Sequence, residues 1–88
     1  MTYEQIEDII KRKYSSGSVF EIRFKARNPI KGLFIVAADY RELSRKNLWR
    51  IVSEGYINEY RITQNESLAR IFNGTDFTRL EVQPAALT

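Results

Sequence analysis

Near its end the chain reads Leu68-Ala-Arg-Ile-Phe72, then Asn73-Gly-Thr-Asp76, then Phe77-Thr-Arg-Leu-Glu-Val82. Two short stretches rich in β-branched and aromatic residues, split by Asn-Gly, form a strand–turn–strand signal. Asn and Gly tolerate the backbone angles of a tight turn and suit a strand interior poorly. This makes the domain mostly β, and similar stretches lie upstream. Ser18 to Ala26 alternates strictly, with Phe20, Ile22, Phe24 and Ala26 on one side and Glu21, Arg23 and Lys25 on the other, as in a half-buried antiparallel strand. Pro29 lacks a ladder donor and marks a turn over Arg27-Asn28-Pro29-Ile30. Gly32 to Ala38 is apolar on both faces, which suits a central or strongly bent strand, with Gly32 placed to permit the bend. Leu48 to Val52 supplies the third strand.

The opening segment is helical. Thr2 and Gln5 stand at capping-box spacing, and Tyr3, Ile6, Ile9, Ile10 and Tyr14 follow as one apolar stripe. Acids occupy the early turns and Lys11-Arg12-Lys13 the last, as the helix dipole favours, and Ser15-Ser16-Gly17 stops the run. Asp39 to Asn47 is a polar connection in which Asp39 and Glu42 have the spacing to cap one helical turn, with Leu43 tucked inward. Tyr56 to Gln64 fits either period, and its diluted strand signal favours a short helix after Ser53.

The expected fold is mainly β with an N-terminal helix (α+β), in the order α-β-β-β-(short α)-β-β. The strands form a strongly bent five-stranded antiparallel sheet or a small SH3-like barrel. Residues 1–82 make one domain and 83–88 a flexible C-terminal tail. A single core of Ile6, Ile10, Phe20, Ile22, Phe24, Phe34, Val36, Trp49, Ile51, Ile71, Phe72, Leu80 and Val82 is expected, lidded by the helix.

This arrangement resembles the Sm-like family of small β-barrels, which carry an N-terminal helix on a five-stranded, SH3-like barrel. Gly32, Asp39 and Asn47-Leu48 stand in the order of one family motif. Ile71-Phe72-Asn73-Gly74 followed by Phe77 to Val82 is similar to the other. The gap between Asp39 and Asn47 is longer than the family's, and Asn73 replaces the basic residue expected beside the turn glycine. Other SH3-like barrels share the architecture. The Sm-like resemblance implies RNA binding, with Asp39 and Asn47 at the matched positions near a base pocket.

The chain has neither Cys nor His, which removes thiolate chemistry, disulfides, and the commonest general base and metal ligand. No cofactor and no metal site is expected. No apolar run approaches the ~20 residues that cross a bilayer, and the start is not a secretory signal, so a cytoplasmic location without membrane association is the expectation. Asp39 and Glu42 are the carboxylate pair with spacing for acid–base work, but a helix cap explains them as well, and no enzyme is expected. Asn65-Glu-Ser67 and Asn73-Gly-Thr75 match glycosylation triplets by chance.

What remains is surface charge. Residues 23–50 carry eight basic side chains against two acids, a local +6, while the flanks are acidic, −1 over residues 1–22 and −2 over 51–88. Arg23, Lys25, Arg27 and Lys31 flank the first turn; Arg41, Arg45, Lys46 and Arg50 flank the next. Such a cluster can neutralise phosphates, with Tyr40 or Trp49 as stacking platforms. It can equally be the solvated, edge-guarding face of a sheet, and Trp49 between Leu48 and Ile51 suits a core. The expected activity is therefore binding, of single-stranded RNA through the basic surface. The alternative is a protein-interaction or self-assembling module that uses an exposed strand edge, as in a homo-oligomer.

Overall fold

The computed structural model describes residues 1–13 and 18–83. The expected contribution of Tyr14, the stop at Ser15-Ser16-Gly17, and the tail over 84–88 lie outside these residues. Helix α1 spans Tyr3–Lys13. It starts on the capping box read from the sequence: Thr2 N–H donates to Gln5 Oε1 (2.9 Å), and Gln5 N–H to Thr2 Oγ1 (3.2 Å). The i,i+4 pairs Glu7–Lys11 (3.5 Å) and Asp8–Arg12 (2.6 Å) line its solvent side. Ile6 and Ile10 are buried on the other.

Five strands follow: β1 (Phe20–Phe24), β2 (Ile30–Phe34), β3 (Leu48–Ser53), β4 (Arg70–Asn73) and β5 (Phe77–Val82). Two further helices interrupt them, α2 (Tyr40–Arg45) between β2 and β3 and α3 (Ile57–Thr63) between β3 and β4. The sheet is antiparallel, in the order β4-β3-β2-β1-β5. The two strands of the opening signal are both present, but the turn between them does not fold β5 back along β4. They form opposite edges of the sheet, joined by a 3-10 turn over Gly74–Asp76.

No ladder joins β4 to β5, so the sheet is not closed into a barrel; this corrects the barrel expectation. The sheet is nevertheless curved. Flat pairing would hold β4 three strand spacings, about 14 Å, from β1. Phe72 of β4 instead meets Phe24 of β1 with ring centroids 5.9 Å apart.

Two apolar clusters form, where the sequence suggested one. Under α1, Ile6 and Ile10 pack with Phe20, Ile22, Phe34, Trp49, Ile51, Phe77 and Leu80. On the other side of β2 and β3, Leu33, Ile35, Val52 and Ile57 cluster with Tyr60 of α3. This second core explains why β2 is apolar on both faces: it is the central strand and is covered from both sides. Gly32 of β2 lies opposite Ser53 of β3. A Cβ there would run into Ile51 Cγ2 and come within 3.1 Å of the Val52 carbonyl.

Several expected core residues are not core. Val36 is 66% exposed because the β2 ladder ends at Phe34, and Ile71 is 48% exposed because it lies opposite Arg50 on the uncovered face of an edge strand. Phe24, Phe72 and Val82 pack only at the margin of the main cluster. Phe77, absent from the expected core, is buried through a register shift: Arg23 pairs with Arg79 but Phe24 with Phe77, so Thr78 is the extra residue. The resulting bulge turns both Phe77 and Leu80 inward.

The two Asn-x-Ser/Thr triplets have a local role. Asn65 Oδ1 accepts from Ser67 N–H and Oγ, and Asn73 Oδ1 from Thr75 N–H and Oγ1, each capping a 3-10 turn.

Candidate nucleic-acid interface

The first basic group lies on and beyond the outer face of β1. Arg23 projects outward, opposite Arg79 of β5, while Glu21 stands between Lys31 and Glu81. Each of the two arginines turns to the acid two residues along its own strand, Arg23 to Glu21 (3.6 Å) and Arg79 to Glu81 (3.0 Å). This relieves the like-charge contact across the ladder. The face is thus charged in both signs, not uniformly basic. Lys25 lies past the end of β1, held by a bond from its N–H to the Asp76 carbonyl (3.0 Å).

Beside it the curved sheet leaves a notch of about 280 Å3, lined by Phe24, Lys25, Ala26, Arg27, Phe72, Asn73 and Asp76. Its floor is aromatic. Phe24 meets Phe72, and stands edge-on to buried Phe77 at 5.3 Å. The Arg27 guanidinium lies over both half-buried rings, 5.0 Å from the Phe24 centroid and 5.7 Å from that of Phe72. The ring quadrupoles hold the cation there with about 0.5–1 kcal/mol at an exposed site.

The second basic group belongs to α2. Arg41, Arg45 and Lys46 are exposed and border a shallow groove of about 430 Å3 with Ala38, Asp39 and Glu42. Lys46 lies 3.7 Å from Glu42. Among the described residues, Lys25, Lys31, Arg41 and Arg45 have no carboxylate within ion-pair distance.

The remaining candidates, Asp39 and Asn47, are engaged inside the protein. Asp39 stands at the start of α2, where its carbonyl accepts from Leu43 N–H (2.9 Å), but its side chain makes no cap bond. Its two oxygens accept from Arg50 Nε (3.1 Å) and Nη2 (2.7 Å), a fork-to-fork pair joining the connection to β3. The hydrogen bond from Arg50 is the main cause that holds the Asp39 carboxyl below its ordinary value of 3.8; the Arg50 charge adds to it and partial burial opposes it. Asp39 and Glu42 therefore each face a cation, and no carboxylate dyad forms. Tyr40 packs edge-on to Trp49 at 6.0 Å, and its phenol is pushed up by burial and by the nearby Glu7 charge.

Asn47 adopts φ 60°. Its Oδ1 accepts from Trp49 Nε1 (2.8 Å), its Nδ2 donates to the Met1 carbonyl (2.9 Å), and its own carbonyl accepts from Gly74 N–H (2.7 Å). Trp49 is 1% exposed, so it is core and offers no stacking face.

The two basic groups sit at opposite ends of β2 along the strand. Curvature brings both to the turn 74–76. On one side Asp76 is bonded to Lys25; on the other Gly74 is bonded to Asn47, the residue after Lys46. The Met1 amino group also donates to the carbonyls of Gly74 (3.1 Å) and Phe77 (2.8 Å), pinning the same turn. Phe24, Phe72, Asn73 and Asp76 were not among the candidates from sequence. Phe24 and Arg27 are close in the chain, but only the curl of the sheet carries Phe72 to them, and no local pattern encodes that meeting.

No family model, curated protein or solved structure matches the chain. Among the described residues there is no group of three or more acidic side chains able to hold a metal ion, and no helix is long and apolar enough to cross a membrane.

Proposed function

We propose that this chain is a binding module without catalytic activity, and that its ligand is single-stranded RNA. The observation that carries this reading is the notch: exposed cations at Lys25 and Arg27 rim an aromatic floor, with a second set at Arg41, Arg45 and Lys46 beyond the turn 74–76. Cations that track a backbone beside rings that accept bases are the two ingredients of single-strand recognition. Arg23, Lys25, Arg27 and Lys31 take phosphates on one side of the notch and the α2 cations continue the track.

Fluorescence anisotropy with a labelled heptauridylate tests the reading. With four phosphates neutralised, affinity falls roughly fiftyfold between 50 and 200 mM salt. The triple variant R23E/K25E/R27E loses most of the binding. Absence of measurable binding at low salt, or an affinity indifferent to salt, overturns the proposal.

A second reading, self-assembly, is favoured by the unpaired outer edges of β4 and β5 and by Ile71 half-exposed on β4. An edge strand is a template for another chain. Salt-tolerant association on sizing columns, abolished by Ile71→Lys, is the expected behaviour; a monomer at all concentrations rejects it.

A further inference from the structure

The notch contains a group that phosphate binding does not call for. Asp76 supplies the one carboxylate among its lining residues, beside Lys25 and Arg27, yet it forms an ion pair with no described cation. An acid left open in a cationic rim repels phosphate, and its use must lie in accepting hydrogen bonds. Asn73, next to it, has its side-chain oxygen committed to Thr75, which leaves its –NH2 group as a donor at the same rim. The floor is the Phe24–Phe72 pair, its rings tilted 43° to each other, and the Arg27 guanidinium rests directly on it. Aromatic faces, a planar cation that covers them, and a paired acceptor beside a donor describe a receptor for a flat heterocycle with adjacent N–H groups.

We infer that the notch takes one unpaired guanine base, stacked on the Phe24–Phe72 floor in the place the Arg27 guanidinium covers in the free protein, with Asp76 accepting from its ring N–H and its exocyclic amino group. The inference rests on the single-strand reading above and adds base preference to it. Guanine alone among the four RNA bases presents two adjacent donors on its pairing edge, a match for the two oxygens of a carboxylate. Adenine and cytosine offer one amino group beside a ring acceptor that the carboxylate repels. Uracil offers one N–H flanked by two carbonyls. Unstacked bases in single strands are read on this edge while stacked on aromatic or guanidinium planes.

The test compares labelled r(UUUGUUU) with r(UUUUUUU), which carry the same phosphates, by anisotropy on the full chain at 50 mM salt. The guanine-containing strand binds roughly tenfold tighter, the scale of one bidentate base contact. Asp76→Asn, at an exposed position without a side-chain bond to the fold, brings the ratio to within about twofold and keeps the salt dependence. Equal binding of the two strands by the wild type overturns the guanine inference and leaves the RNA reading standing. Binding of neither overturns both. A preference that survives Asp76→Asn overturns the assignment to this carboxylate.

Discussion

Asn47 ties the turn 74–76 to the main core, and its removal can be worked out contact by contact. Asn47→Ala takes away the acceptor of Trp49 Nε1–H, a donor on a side chain only 1% exposed. A buried donor left without a partner costs about 1–3 kcal/mol. The substitution also places Ala at φ 60°, a conformation Asn tolerates and Ala pays about 1–2 kcal/mol to adopt. Together these amount to about 3 kcal/mol. A domain of this length has about 4–13 kcal/mol in total. Asn47→Gly loses the same side-chain bonds and escapes the backbone strain, but its unfolded chain gains about 0.4–1 kcal/mol of conformational freedom. The Gly variant is therefore more stable than the Ala variant by about 0.5–1 kcal/mol, the part of the αL cost that this freedom does not offset.

Urea denaturation read by Trp49 fluorescence, the only Trp in the chain, gives these differences directly. With a slope of about 1 kcal/mol/M, the Ala variant's midpoint moves down by roughly 3 M. A double-mutant cycle isolates the indole. In a Trp49→Phe background, followed by circular dichroism, there is no N–H to orphan, and Asn47→Ala costs about 1–2 kcal/mol less. Equal costs in the two backgrounds, or an Ala variant within about 0.5 kcal/mol of wild type, refute the reasoning.

Other perturbations follow from the same structure. Gly32→Ala drives a methyl against the Val52 carbonyl and Ile51, and the backbone cannot give way as a flexible side chain would; a loss near 3 kcal/mol, the top of the usual overpacking range, is expected in chemical denaturation. Phe77→Ala empties a fully buried site and costs about 3–5 kcal/mol. Ile71→Ala, on the exposed edge, changes stability by no more than about 0.5 kcal/mol, a contrast that urea melts check. The Asp39 carboxyl is lowered in the folded state, so its contribution is fully present above its ordinary value of 3.8 and is lost as pH falls through the folded value. The stability gap between wild type and Asp39→Asn is accordingly constant near neutrality and shrinks below that value; a gap that persists undiminished to strongly acid pH rejects the Arg50 pairing as its source.

How much of this was legible in the sequence depends on the range of the interaction. The capping box of α1 and its Ile6–Ile10 stripe are local and appear where they were read. The five strands and the short helix after Ser53 also form, because periodicity and turn residues act within a few positions, but β2 starts at Ile30 inside the expected turn and ends at Phe34, short of the expected Ala38. The second core was hidden because Leu33, Ile35, Val52 and Ile57 come from three elements, and the two-faced apolarity of β2 showed only that something covers it, not what. The inward turn of Phe77 depends on a one-residue register shift against β1, which alternation within β5 cannot reveal.

The candidate site follows the same logic. The individual cations of residues 23–46 were visible as charge, but their meaning depends on neighbours that only curvature supplies. Arg27 is one more surface cation until Phe72 arrives beneath it, and Asp39 reads as a cap until Arg50 captures it. The barrel expectation failed at the same place the notch forms. The curl is enough to bring β1 and β4 side chains together and too little to let β4 and β5 share a ladder, and the gap it leaves is the rimmed, aromatic-floored opening beside the turn 74–76. The incompleteness of the closure and the existence of the notch are thus one structural fact, and substitutions that tighten the turn should reduce the notch. Gly74 is the point of control: a Cβ there would meet Ile6 Cδ1 at 2.5 Å and collide with Asn47 Oδ1, so any side chain must displace Ile6 and Asn47 or the turn that both of them hold.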